Sequence, residues 1–329
     1  MRQITLLTIT LCGLTLPVQA FSYQTIDECL GAKVLTSDEN MTVADLKKQC
    51  AKELESAPVD TSESLVKGRI KQDGKNVLSP FTLMAHRPNY ILIGAYNDQG
   101  YDATVHNQVF KDDIEYKKYE SQFQLSIKFP LLVNLFSSKA DLYAAYTNRS
   151  FWQVYHEDSA PFRETNHEPE AWIQFHPNWE ILGFTNVWNS IGINHQSNGQ
   201  RDELSRSWNR VFGWFTFERE NLAFSIKPWF RISEDSAQDD NPDITDYMGH
   251  FELLASYKYQ DHVFNFMTRN NLESGFERGA IQLSWSFPLG NYEFLSGYVQ
   301  WFSGYGESLV SYDQRVNTLG VGVILVDWL

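Results

Sequence analysis

Positive charge, long apolar runs and cysteine are all scarce in this 329-residue chain. Only 27 lysines and arginines stand against 41 acidic side chains, a net charge of −14 with a pI near 5.0. Such a surface repels phosphate backbones, and with no basic stripe to offset it nucleic acid is excluded as a partner. Beyond the first twenty residues, no apolar run approaches the ~20 residues that a spanning helix needs. The longest, Pro130 to Phe136, is interrupted by Asn134. A mean hydropathy of −0.38 is too low for a bundle of membrane helices. Internal repeats and low-complexity tracts are missing too. Aromatics, by contrast, are abundant: 22 Phe, 16 Tyr and 10 Trp. Rings this dense must be buried or meet lipid, which excludes disorder. A chain that is polar on average yet rich in aromatics fits a membrane β-barrel, and the length allows two ordinary domains or one large barrel.

The first twenty residues read as a secretory signal: Arg2 gives the charged n-region, Ile4 to Leu16 the apolar core, and Val18-Gln19-Ala20 the cleavage site. Cys12 falls inside it, and Leu11 before it is not the small residue of a lipoprotein signal. Of the three cysteines, the mature chain keeps Cys29 and Cys50, which in an exported protein read as a disulfide. The loop closed is of some twenty residues, an entropic constraint of roughly 3 kcal/mol. Val43 to Leu54 has a helical pattern, with Leu46, Cys50 and Leu54 on one face. Residues 21 to 85 are therefore expected to form a small disulfide-tied periplasmic or plug-like extension, and residues 86–329 the main body.

That body alternates with period two. Tyr119, Phe123, Leu125, Ile127 and Phe129 lie on one side of a strand, and Glu120, Gln122, Gln124, Ser126 and Lys128 on the other. Leu222, Phe224, Ile226, Phe230 and Ile232 likewise alternate with Ala223, Ser225, Lys227, Trp229 and Arg231. Tight turns such as Phe287 to Tyr292 alternate with long acidic segments such as Glu234 to Asp246. The pattern predicts twelve strands, near 89–97, 118–130, 140–154, 169–176, 180–197, 205–219, 221–233, 247–259, 262–271, 278–287, 291–303 and 315–329. The expected fold is all-β: a twelve-stranded antiparallel transmembrane β-barrel with a small N-terminal extension. The last strand, closing on Asp327-Trp328-Leu329, suits an outer-membrane barrel. A soluble sandwich, which also alternates, stays open as the alternative.

The stretch from Ile191 to Arg210 carries the chemistry. Read as a hairpin with His195 opposite Asn209, it sets Ser197 opposite Ser207 and leaves 199–205 as the loop. Side chains two apart share a face, so His195 and Ser197 continue the apolar face of Ile191 and Ile193, and Asn209 that of Val211, Phe215 and Phe217. Polar groups gathered on the lipid-facing wall are expensive and call for a function. This trio supports acyl transfer: His195 activates Ser197, and Asn209 orients the imidazole as a neutral stand-in for aspartate. With a neutral orienter, the Gly199 amide and a bound cation have to carry more of the oxyanion charge.

Asn194-His-Gln-Ser-Asn-Gly199 followed by Ser205-Arg-Ser-Trp-Asn-Arg210 resembles the signature of bacterial outer-membrane phospholipase A. Tyr146-Thr-Asn-Arg-Ser-Phe-Trp-Gln153, Pro161-Phe-Arg-Glu-Thr-Asn166, Asp239-Asp-Asn-Pro-Asp-Ile-Thr245 and Gly304-Tyr-Gly-Glu-Ser-Leu309 are similar to further motifs of that family, in order. The similarity runs from about Tyr90 to Leu329. It implies Ser197 as nucleophile, His195 as base, Asn209 as orienting residue and Gly199 as the oxyanion-hole amide. It also implies a calcium-requiring homodimer with ions at the subunit interface. The implied ligands are the Ser205 side chain, the Gln200 carbonyl and, from the partner subunit, Ser159, with Asp202 and Asp240 as further calcium-related carboxylates. Two departures stand out: Gln200 replaces a common arginine, and Asn148 replaces a glutamine that helps hold the dimer.

The reading that follows is calcium-dependent hydrolysis of acyl esters of membrane glycerophospholipids, in the bacterial outer membrane. The alternatives are a passive channel or binding barrel, whose lumen charges would include Arg206, Arg210, Lys227 and Arg231, and a structural or adhesive surface barrel. A twelve-stranded lumen is narrow, and such charges together with Glu218 can fill it with paired side chains.

Overall fold

Alternation this regular has to close, because an open sheet would leave unpaired backbone edges in hydrocarbon. The computed structural model describes residues 30, 42–56, 65–77, 83–111, 113–138, 140–157, 161–235, 239–270, 274–275, 277–290 and 292–328. The expected signal peptide, Cys29 and Ser159 lie outside the described residues. The chain divides into two compact units, residues 1–61 and 62–329. In the first, helix α1 (Val43–Ser56) begins with a reciprocal cap: Thr42 Oγ1 accepts from the Asp45 amide, and Asp45 accepts from the Thr42 amide and hydroxyl. The Thr42 bonds hold the Asp45 carboxyl below its ordinary range. Leu46 and Cys50 are buried on one face of this helix, as its pattern predicted, and Cys50 is disulfide-bonded.

The second unit opens with helix α2 (Leu65–Val77), followed by β1 (Met84–Ala85), β2 (Asn89–Asn97), helix α3 (Thr104–Phe110) and β3 (Tyr119–Asn134). A short helix α4 (Leu135–Ser138) leads into β4 (Ala140–Trp152), β5 (Phe162–Phe175), β6 (Trp179–Ile181), β7 (Phe184–Ser197), β8 (Ser207–Arg219) and β9 (Leu222–Ile232). Helix α5 (Ile244–Met248) precedes β10 (Phe251–Tyr259), β11 (His262–Asn270), β12 (Gly279–Leu289), β13 (Tyr292–Gly304) and β14 (Val316–Val326). Twelve of these strands form a closed antiparallel barrel: β14 pairs with β2, for example Leu319 with Tyr96, and β3 with β4. The two-residue β1 extends β2 along β3, and the three-residue β6 pairs with β7. The expected transmembrane barrel is thus the fold.

The wall sorts side chains by parity. Along β7 and β8, Ile191 and Ile193 are 57% and 60% exposed on the outside, while Trp208 and Phe212 are 0% and 2% exposed inside. Connections at one end are tight: Glu220 and Gln260 take φ of 51° and 53° in two-residue turns, and Gly290 takes 59° between β12 and β13. The opposite end carries the long loops 98–118, 198–206, 233–250 and 305–315.

Besides β3, which runs on to Asn134 rather than 130, three stretches depart from the sequence reading. β5 starts at Phe162, well before 169, because Glu164, Asn166, Glu168 and Glu170 point inward while His167 and Pro169 are among the outward residues, so polarity does not alternate there. A register shift at Phe151/Trp152 hides the pattern further. The stretch 180–197 is a hairpin, turned at Leu182 and Gly183 with φ of 51° and 79°. The strand expected over 247–259 starts later, because residues 247–248 end helix α5, and β10 begins at Phe251.

Helix α2 belongs to the same compact unit as the barrel. The Val66 amide donates to Glu218 Oε2 at 2.9 Å, and Lys128 Nζ donates to Asp73 Oδ2 at 2.5 Å. Arg69 donates to the carbonyls of Ala85 and His86 at 2.8 and 3.0 Å and to that of Trp328. It thereby ties the helix to the first and last residues of the barrel. Arg69→Ala is expected to cost about 2 kcal/mol, the scale of lost charge-assisted hydrogen bonds to buried carbonyls. The temperature at which the folded band converts to the heat-denatured band in semi-native gel electrophoresis should fall. Lys67→Ala, removing a half-exposed ion pair at 4.0 Å, should leave that temperature nearly unchanged.

Candidate active site

The β7–β8 hairpin has the register read from the sequence: His195 pairs with Asn209 and Ser197 with Ser207. Its loop is organised by one buried side chain, Asn198. Its Oδ1 accepts from the amides of Gln200 and Arg206 at 3.2 and 3.0 Å, and its Nδ2 donates to the Leu204 carbonyl at 2.8 Å. The next residue, Gly199, takes φ of +65°, a conformation a residue with a side chain adopts only under strain. Sequence reasoning passed over Asn198, although Asn-Gly is itself a turn signal.

On the outer wall, half-buried His195 donates from Nδ1 to Asn209 Oδ1 at 2.8 Å. Asn209 Nδ2 in turn donates to Glu234 Oε1 at 2.9 Å. The proton on Nδ1 leaves Nε2 with its lone pair free, the tautomer a general base requires. Ser197 lies two residues along the same face of β7, flanked by His167 of β5 as well as Ser207 of β8. No side-chain hydrogen bond joins Ser197 to His195 among the described residues. Such contacts are often long in a free enzyme and tighten in its substrate complex. His167 is a second imidazole that the sequence reading missed. Its Nδ1 lies 2.6 Å from the Tyr146 hydroxyl, and its Nε2 lies 3.7 Å from the position a Cβ on Gly199 would take.

The residues implied as calcium ligands are partly brought together. Ser205 Oγ donates to Asp240 Oδ2 at 2.5 Å. Arg231 clamps the loop around Asp240, reaching Asp239 Oδ1 at 2.6 Å and the carbonyls of Asn241 and Pro242 at 3.1 Å each. Asn241 Oδ1 accepts from the Ser207 amide at 2.9 Å, fixing that loop to the start of β8. Tyr312 donates to Asp243, and burial, then that bond, push its phenol above the ordinary range. Gln200 lies exposed in the β7–β8 loop, and Asp202 opens a 3-10 turn, Asp202–Leu204. No cation among the described residues pairs with Asp240, and no cluster of three His, Cys, Asp or Glu side chains suited to a metal occurs among them. Hydroxyl and carboxylate oxygens without sulfur or imidazole suit a hard divalent cation whose shell is completed by carbonyls and water.

The support beneath the site is polar and buried. Asn194 and Arg210, the inward neighbours of His195 and Asn209, are hydrogen-bonded to each other. Asn194 Nδ2 also donates to Glu168 Oε1 at 2.8 Å.

A model of the phospholipase A1 family matches residues 66–325. Phospholipase A1 of Escherichia coli strain K12 is 37% identical over 250 residues, covering 76% of this chain and 83% of that protein. That of Proteus vulgaris is 36% identical over the same shares. The solved outer membrane phospholipase A from Escherichia coli superposes with a TM-score of 0.69 at 35% identity, over 76% of this chain and 100% of that one. A Salmonella typhi outer membrane phospholipase, solved as a dimer with bound calcium, gives 0.68 at 35% identity over 76% and 94%. With the family model spanning residues 66–325, barrel and site alike, and a relative 37% identical over 76% of its length, this chain belongs to the phospholipase A1 family.

Proposed function

We propose that this protein is a calcium-dependent phospholipase A of the outer membrane that hydrolyses acyl esters of glycerophospholipids and works as a homodimer. The observation that carries the reading is the 2.8 Å bond from His195 Nδ1 to Asn209 Oδ1 on the outward, apolar face of the barrel. A base oriented there meets ester groups arriving in the plane of the bilayer, so no aqueous pocket is needed. Family membership and the calcium-bound dimer of the Salmonella relative support the cofactor and the assembly.

Ser197 Oγ attacks the ester carbonyl carbon while its proton passes to His195 Nε2. The tetrahedral adduct expels the glycerol oxygen, which takes that proton, and leaves the acyl group on Ser197. His195 then takes a proton from a water whose oxygen attacks the acyl carbon, the bond to Ser197 Oγ breaks as that proton passes from His195 to Oγ, and the fatty acid leaves. The Gly199 amide donates to the oxyanion. Ser205, the Gln200 carbonyl, Asp202 and Asp240 would hold the ion, with Ser159 of the partner subunit completing the set. When bound, calcium adds positive charge beside that oxyanion. Against the channel reading, the lumen level with the site is narrowed by Trp208 and Trp229, packed edge to face with the Arg210 guanidinium over both rings.

Ser197→Ala and His195→Ala should each lower fatty-acid release from mixed micelles by about 10³-fold or more while heat-modifiable barrel migration is retained. Substantial hydrolysis by folded Ser197→Ala protein would refute the nucleophile. Asp240→Asn should raise the calcium concentration for half-maximal activity by about tenfold, with kcat at saturating calcium largely kept. An unchanged calcium titration would remove Asp240 from the ion's surroundings.

A further inference from the structure

Nothing in the sequence motifs singles out Glu234, yet it is the only carboxylate among the described residues hydrogen-bonded to the His195–Asn209 pair. It lies just past the end of β9, two residues beyond Ile232, which pairs with Asn209 in the sheet. Its Oε1 accepts from Asn209 Nδ2 at 2.9 Å. Among the described residues no cation pairs with it: Arg231, the nearest in sequence, is occupied by Asp239 and two carbonyls. Its negative charge is therefore directed at the Asn209 amide.

Two consequences follow from elementary hydrogen-bond chemistry. An ionised carboxylate only accepts, so the Asn209 NH₂ group must face Glu234 and its carbonyl oxygen must face His195. That oxygen also only accepts, so the proton of the neutral imidazole must sit on Nδ1, leaving Nε2 as the base. A full negative charge on the N–H side of an amide also polarises it and enriches electron density on Oδ1. The neutral asparagine thereby offers a developing imidazolium some of the stabilisation an aspartate would give.

Resting on the triad proposed above, the geometry points to Glu234 as a positioning residue of the hydrolytic machinery, which acts through Asn209 to fix the His195 tautomer and supply charge to it. The triad becomes a four-membered line, Ser197, His195, Asn209 and Glu234, with the formal charge one residue farther out than in an aspartate triad.

The test separates charge from geometry. In Glu234→Gln the side-chain oxygen can still accept from Asn209, but the charge is gone. We expect kcat to fall about tenfold with KM and the calcium titration unchanged, and Glu234→Ala to fall further. Asn209→Asp is the decisive partner. In the parent it sets two carboxylates where a donor and an acceptor stood, and activity should drop. In Glu234→Gln it places the charge directly on the imidazole, and activity should rise toward that of the parent. This reversal of sign is not expected from a structural contact. Fluorophosphonate labelling of Ser197 and barrel migration are measured on every variant. If Ser197 labels normally in the parent but Glu234→Gln keeps full kcat, or Asn209→Asp is equally harmful in both backgrounds, the role of Glu234 is overturned and the triad stands. Failure of Ser197 to label in the active parent overturns the triad and this role with it.

Discussion

Two buried, fully paired carboxylates set the register of the site-bearing side of this barrel. Glu168 and Glu170 are neighbours on the inward face of β5, both buried. Arg87 reaches Glu168 at 2.8 Å and Glu170 at 3.2 Å; Arg210 takes Glu168 at 3.0 Å and Lys227 takes Glu170 at 3.2 Å. His86 completes the set on Glu170. Such a cluster adds little net stability over an apolar core, but losing one member strands the others as unpaired buried charge. The link between β1 and β2 is thereby locked against β5, β8 and β9. Because Arg210 and Asn194 belong to this interior, their chain neighbours Asn209 and His195 must face outward, opposite each other. A slip of one residue in the hairpin would exchange the two faces and destroy both.

That constraint explains how polar groups persist on an apolar wall. His195 and Asn209 satisfy each other, Asn209 is satisfied again by Glu234, and the whole set lies at the loop-bearing end of β7 and β8, above Ile191, Ile193 and Val211. The trio itself carries no fixed charge into the apolar band, and the one carboxylate attached to it comes from the loop side of the barrel rim. The cost of placing chemistry in contact with hydrocarbon is kept down by choosing neutral members and handing formal charge to residues nearer water.

Much of this was legible because the barrel obeys a strict period. Strand number and the pairing of His195 with Asn209 follow from alternation once a wall with one apolar face is assumed. The reading failed where alternation is broken for a structural reason. β5 hid behind its inward carboxylates, and the Leu182–Gly183 turn behind a continuous run of strand-forming residues. Helix α2 sets Val66 and Ile70 against the core, too short an apolar stripe to stand out, and the rest of its attachment runs through Arg69, Asp73 and a backbone amide. In the site, the residues carried by the hairpin motif were found, and Asn198, His167 and Glu234 were not. Asn198 acts within its own loop, whereas His167 and Glu234 reach the site from β5 and from beyond β9, through contacts between segments far apart in sequence that spacing does not encode.

The same division, strand against loop, separates two kinds of work. His195, Ser197 and Asn209 sit on β7 and β8, where ladder hydrogen bonds and the buried charge cluster leave them little freedom. The Gly199 amide, proposed to meet the oxyanion, and the oxygens of Ser205 and Asp240 lie in loops, whose geometry rests on Asn198 and on the Arg231 clamp. Local opening is cheaper in such loops than in a closed sheet. Orientation of the base is thus built into the barrel itself, whereas charge stabilisation of the adduct depends on loops that a bound cation would tighten. On the proposed reading, such a division keeps the base oriented on the wall of the barrel at all times. What remains adjustable is the electrostatic half of the site, the half through which calcium and a partner subunit would act.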